Sequence, residues 1–190
     1  MIRLLSLTLL LLCSACIQIG SDPQPTHYYL LESIASDTDS ISRNKFNIDI
    51  ELTKFPEYLD KQQIATSNTI NVIEFSENHR WAEPLQENLI FTIRENITLR
   101  LPNANIAVRP WETTGKDAFK IKLLVNKFSG KLGDEAVIDI RWSIVKDDDN
   151  TLHGHFIYNH KINPSYKDLI AKLNLGVNQF SNQLANSFIK

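Results

Sequence analysis

Cys16 is the side chain best placed for a covalent reaction, because of what stands before it. Met1-Ile2-Arg3 leads into the apolar run Leu4 to Leu12, then Cys13-Ser14-Ala15-Cys16. One early cation, a short apolar stretch and small residues before a cut describe a secretory signal peptide. A thiol set directly after Ser14-Ala15 is a nucleophile open to covalent modification. Cys13 is the poorer candidate, since Leu10-Leu11-Leu12 before it offers a peptidase pocket no small residue. The run is well short of the about 20 apolar residues a membrane-crossing helix needs. Gly20, Pro23 and Pro25 also separate it from everything downstream, so the expectation is a removed leader and an anchored, non-spanning chain.

Other residues capable of chemistry are sparse. His153 and His155 lie two apart on an alternating segment and share a face, as metal ligands would, but no Cys, Glu or third His stands near them in sequence. Solvated strand positions are the expectation there, and no metal. Asp147-Asp148-Asp149-Asn150 lacks the spaced ligands and terminal Glu of a calcium loop, and reads as a polar hairpin turn. Asn96-Ile97-Thr98 matches a glycosylation acceptor but falls inside a predicted helix. The chain has no G-x-S-x-G elbow, H-E-x-x-H helix, P-loop or G-x-G-x-x-G. Its six glycines leave little material for phosphate-cradling loops, and the expectation is a non-enzymatic protein with no cofactor beyond the lipid on Cys16.

Composition bounds the rest. The 190 residues carry 20 Lys and Arg against 22 Asp and Glu, a formal charge of −2 that argues against a nucleic-acid binder. Of the two cysteines, Cys13 leaves with the leader, so the mature chain has no intrachain disulfide and relies on its core. About 160 residues suffice for that, since a domain of this size buries roughly 70% of the surface its unfolded chain exposes. The expected organisation is a leader over 1–15, a tether over 16–27 and one domain over 28–190. With Pro23, Pro25 and Gly20 and no sustained period, the tether can hold the domain up to about 35 to 40 Å from the anchored cysteine.

These groups must be held by elements that hydrophobic period makes readable. Tyr28 to Leu31 reads as a short strand and Ser33 to Asn44 as a loop. Phe46, Ile48, Ile50 and Leu52 alternate with polar residues, giving a half-buried strand stopped at Phe55-Pro56. Ile64 to Thr66 and Ile70 to Phe75 suggest a hairpin turning at Ser67-Asn68. Pro84 suits the first helical position, and Leu85, Leu89, Ile93, Ile97 and Leu101 form one stripe of a helix over about 83–100. Ile106 and Val108 precede a stop at Pro110-Trp111. Three alternating segments follow: Phe119 to Val125, Ile138 to Ile144 and Leu152 to Ile162. With turns at Gly130 to Asp134 and Asp147 to Asn150, they predict an antiparallel meander. Tyr166 to Phe188 repeats apolar residues at steps of three and four, a long C-terminal helix. The fold class is therefore α+β, a two-layer sandwich of a mainly antiparallel or mixed sheet with two long helices on one face. Its other face would carry Asn47, Asp49, Glu51, Asp139 and Arg141.

Two resemblances sharpen this. Cys13-Ser14-Ala15-Cys16 resembles a bacterial lipobox, with Cys13 where that pattern prefers Leu, which implies removal of the leader and a thioether-linked lipid on Cys16, with acyl chains such as palmitate. Phe55-Pro56-Glu57-Tyr58-Leu59-Asp60, Gln63-Ile64, Arg80-Trp81-Ala82-Glu83-Pro84-Leu85 and Leu101-Pro102, with Tyr28 to Leu31 and Trp142, resemble the PqiC (YmbA-type) lipoproteins. These are also described as auxiliary lipoprotein components of ABC-type transport systems. Lys61-Gln62 depart from the Arg-Pro of many members. The resemblance implies a periplasm-facing outer-membrane lipoprotein. It partners a periplasm-spanning MCE-domain protein in an intermembrane lipid transport system that supports envelope integrity. Ile17, not Asp, follows Cys16, which favours outer-membrane sorting. A homo-oligomeric ring would suit such a role. Tyr58, Arg80 and Trp81 are candidates for an interaction surface; the alternative has Trp81 packing as a staple at the helix start and Arg80 pairing with a nearby carboxylate. A carrier binding one acyl chain between sheet and helices is the competing function.

Overall fold

Alternating apolar residues do most of the construction in the second half of the chain. The computed structural model describes residues 24–34, 44–69, 71–147 and 150–189. In chain order the elements are β1 (His27–Tyr29), β2 (Asn47–Lys54), a 3₁₀ turn (Glu57–Leu59), β3 (Gln63–Thr66), β4 (Glu74–Trp81), α1 (Leu85–Arg100), β5 (Asn105–Val108), β6 (Phe119–Lys131), β7 (Glu135–Asp147), β8 (Asn150–Lys161) and α2 (Tyr166–Asn186).

The meander is present as β6, β7 and β8, paired antiparallel in sequence order. β2 pairs parallel with β6 on one side and with β5 on the other, giving a mixed sheet in the order β5-β2-β6-β7-β8. α1 packs against β5 and β2, α2 against β6, β7 and β8, and the helices against each other. Asn96 meets Ser181 and Arg100 meets Asn186, so the two helices run in the same direction. The predicted stripes are the buried ones: Leu85, Leu89, Ile93, Ile97 and Leu101 on one helix, Leu169, Leu173, Val177, Phe180 and Leu184 on the other. They meet Ile48, Ile50, Ile121, Leu123, Ile138 and Ile140 in one continuous core. Gly176 lets α2 lie close, since a Cβ there would stand 2.6 Å from the Ile138 Cδ1 atom.

Several details depart from the sequence reading. A second sheet, in the order β1-β4-β3, joins the short first strand to the expected hairpin. The hairpin partner of β3 begins at Glu74 and runs to Trp81, and the expected strand from Ile70 gives way to a turn in which the Val72 N–H bonds the Thr69 carbonyl. Pro84 caps α1 rather than occupying its first turn. Leu152, expected inward, is half exposed; two residues on, the indole of Trp142 covers Gly154, where a Cβ would overlap the ring.

The main correction on the outer sheet face is Asp49. Asn47, Glu51 and Arg141 are exposed as expected, whereas the Asp49 side chain is only 3% exposed. The loop after β5 folds over it: the Thr113 hydroxyl, the Thr114 N–H and the Thr114 hydroxyl each donate at 2.8 Å, and Arg109 Nε lies 3.6 Å away. Burial alone would raise this carboxyl. The three donors and the cation outweigh that and hold it below the ordinary aspartate value.

Candidate functional site

The residues that follow β1 hold the most unusual polar construction in the described chain. They lie where the N-terminal segment joins the domain. α1 carries Asn88, Thr92 and Asn96 at steps of four, and α2 carries Asn174, Asn178, Asn182 and Asn186 at the same step. Such spacing sets each group on one line along its helix, and the parallel helices bring the two lines face to face. Residues 31–34 run along the groove between them. The Leu31 N–H donates to Asn88 Oδ1 at 2.7 Å, while Asn88 Nδ2 donates back to the Leu31 carbonyl at 3.1 Å. Glu32 donates its N–H to Asn174 Oδ1 at 3.0 Å. Ile34 is held from both sides, its N–H by Asn96 Oδ1 at 3.1 Å and its carbonyl by Asn178 Nδ2 at 3.0 Å. Asn96 and Asn178 are themselves braced by Ser181 and Asn182.

This geometry reads backbone, not side chains. A carboxamide offers one donor and one acceptor in a plane, which matches the N–H and C=O of an extended peptide. The chemistry it supports is strand-like binding of a polypeptide without a sheet edge. Leu31 adds an apolar plug, 3% exposed.

β1 itself is fixed by rings. His27 stacks on His79 with centroids 5.2 Å apart, and His79 stacks on Tyr166 of α2 at 4.1 Å. The Tyr29 hydroxyl lies 2.8 Å from His79 Nδ1. Burial first, and then the neighbouring His27, hold the His79 imidazole below its ordinary value, which favours the neutral ring in its contact with the Tyr29 hydroxyl.

The residues singled out from sequence fall as follows. Cys16, Cys13 and the tether up to residue 23 lie outside the described residues; Gln24 to Thr26 are exposed. Trp81 is 3% exposed and packs against Phe128 at 6.4 Å between centroids, so it belongs to the core and offers no interaction surface. Its indole closes the small sheet onto the large one just before α1. Arg80 is half-buried; it makes no ion pair among the described residues, contrary to the expected carboxylate partner, and its Nε is buried without a hydrogen bond. Tyr58 sits half-buried in the 3₁₀ turn, where burial raises its phenol. His155 Nε2 is 2.9 Å from Asp139 Oδ1, and His153 is exposed opposite Ser143. Among the described residues no three His, Cys, Asp or Glu side chains are grouped to hold a metal, and no helix is long and apolar enough to cross a membrane.

The asparagine groove was not anticipated. Its signal was present as Asn174, Asn178, Asn182 and Asn186, but an Asn every fourth residue also describes an ordinary solvated face.

Comparison with known proteins bears on the fold and the family. One solved structure, of an uncharacterised protein, superposes with a TM-score of 0.72 at 21% identity, covering 87% of this chain and 99% of that one. A second, a Xanthomonas campestris protein of the family DUF330, gives a TM-score of 0.71 at 12% identity, covering 86% and 95%. At such identities these show the shared fold alone. No curated protein matches significantly by sequence. A family model does match over residues 28–185, which takes in both sheets, both helices and the asparagine groove. The chain therefore belongs to the ABC-type transport auxiliary lipoprotein component family.

Proposed function

We propose that this chain is a non-enzymatic adaptor fixed to the periplasmic face of the outer membrane by an acylated Cys16. It docks a periplasm-spanning MCE-domain protein within an intermembrane lipid transport system that supports envelope integrity, and it does so as a homo-oligomeric ring. The observation that carries this reading is the groove between α1 and α2. Five hydrogen bonds between asparagine side chains and the backbone hold residues 31–34, the segment that follows β1 near the N-terminal entry to the domain. A domain whose work depends on its position needs such a firm junction. The alternative of an acyl-chain carrier is disfavoured because the space between helices and sheet is filled by side chains such as Leu89, Ile93, Val177 and Phe180, all fully buried. The clefts around Phe119, Ile144 and Phe188, and around Arg109 and Trp111, open at the surface instead.

Affinity capture of the full-length chain from cross-linked cell envelopes tests the reading, alongside Cys16→Ser. Co-capture of an MCE-domain protein in oligomeric complexes is expected, with the variant lost from the outer-membrane fraction. A variant that still fractionated with that membrane, or capture of no transport component, would sink it. Lipid retained on the protein through detergent-free purification, seen by native mass spectrometry, would favour the carrier.

A further inference from the structure

β1 pairs parallel with β4, and this fixes the side from which the tether arrives. His27 stands opposite His79, so the chain before it, through Thr26 and Pro25, points back along β4 toward Glu74. Glu74 is where β4 meets Thr66 of β3, at the root of the β3–β4 hairpin. The chain therefore enters β1 at the same end of the small sheet as the hairpin tip. Among its described residues that tip exposes three apolar side chains, Val72, Ile73 and Phe75, at 44%, 37% and 44%, beside the polar Asn68, Thr69, Asn71 and Glu74. It is also well braced. Asn68 Nδ2 bonds the Glu74 carboxylate, the Val72 N–H bonds the Thr69 carbonyl, Asn71 takes a left-handed φ of 66°, and the Ser67 N–H bonds the Gly130 carbonyl of β6.

We propose that this tip is a second membrane contact, with Val72, Ile73 and Phe75 entering the boundary between lipid headgroups and acyl chains beside the lipid-bearing N-terminus. The inference rests on the anchored reading above and deepens it. Length permits it: from His79 back to Glu74 is about 16 Å at roughly 3.3 Å per residue. The chain from Cys16 to His27 spans up to about 35 to 40 Å, so the cysteine reaches the bilayer while the tip touches it. The charges around the tip are mixed, with Lys127 and Lys131 against Glu74, Asp134 and Glu135, and Lys131 already 3.2 Å from Asp134. Attachment is therefore apolar in origin and insensitive to lipid charge.

Because the thioether occupies the Cys16 sulfur, Ile73→Cys places a single free thiol in the mature full-length protein. An environment-sensitive fluorophore on it, with the protein reconstituted in phosphatidylethanolamine and phosphatidylglycerol vesicles, reports the tip. Thr151→Cys, near the β7–β8 turn, is the control. Blue-shifted emission, quenched several-fold more strongly by bilayer-borne quenchers at position 73 than at 151, is expected. In a second arm, unlabelled I73D/F75D should transfer between vesicles about tenfold faster than wild type, in line with the loss of apolar area from the bilayer, at an unchanged unfolding temperature. Water-like emission at both positions, or an unchanged transfer rate, overturns the tip contact. A blue shift that grows with protein concentration without vesicles overturns it in favour of a second copy. Failure of the anchor reading is scored separately: mass spectrometry would then find Cys16 labelled as well.

Discussion

The inner faces of α1 and α2 and the groove between their outer faces hold the chain by opposite means. Inside, Leu89, Ile93, Val177 and Phe180 meet the five-stranded sheet with no exposed area, and area removed from water is the whole interaction. Outside, the same helices grip residues 31–34 through side-chain amides bonded to backbone. Apolar contact tolerates some sliding, whereas a planar amide bonded to one N–H and one C=O sets the register of the segment. The core makes the domain; the groove fixes where its N-terminal segment lies.

That contrast can be broken most severely from the inside. Phe180→Ala should cost about 3 to 5 kcal/mol, the usual toll for emptying a fully buried aromatic site, and denaturant unfolding will register it as a lower midpoint. An effect below about 1 kcal/mol would mean that the core is less consolidated than its burial implies. Next comes Asn88→Leu, which leaves the Leu31 N–H and carbonyl without their amide partner and should cost about 1 to 3 kcal/mol. Hydrogen exchange distinguishes the two variants: Asn88→Leu should raise exchange at residues 31–34 and spare β6 and β7, while equal acceleration everywhere would erase the distinction between core and groove. The smallest effect belongs to pH. Since the folded imidazole of His79 is held below its ordinary value, its neutral form contributes stability above pH about 6.5, and that contribution fades as pH falls through the lower folded value. Exchange at β1 should rise modestly on acidification through that window, and His79→Phe should flatten the response without touching the core.

The same contrast explains what the sequence made legible. Strands β6 to β8 and both helices repeat their apolar residues over seven or more positions, long enough for a period of two or of three to four to stand out, and, Leu152 apart, their buried faces are those expected. β1 has three residues and was legible as a short strand at Tyr28 to Leu31, but its partner lies some fifty positions away and no local pattern marks that pairing. The extended segment at 31–34 is held by amides from two helices, and backbone bonded by distant side chains leaves no periodic trace in its own sequence. Asp49 sits in perfect alternation with Ile48 and Ile50; its cover, Thr113 and Thr114, comes from a loop more than sixty residues later. Trp81 was legible as a packed residue in one of its two readings, and the fold selects that one. Family resemblance carried what periodicity did not, since the segments from Phe55 to Asp60 and from Arg80 to Leu85 flank the strands that build the small sheet.

The parallel pairing of β1 with β4 has a mechanical consequence. A load arriving through the N-terminus pulls β1 along its own axis, so its ladder bonds with β4 are sheared together rather than peeled one after another. Behind them the amides on Leu31, Glu32 and Ile34 share the same pull, lying in series with the strand. On the proposed anchoring, the domain is thereby gripped where tension would enter, and the force reaches the two helices before it reaches the sheet they cover.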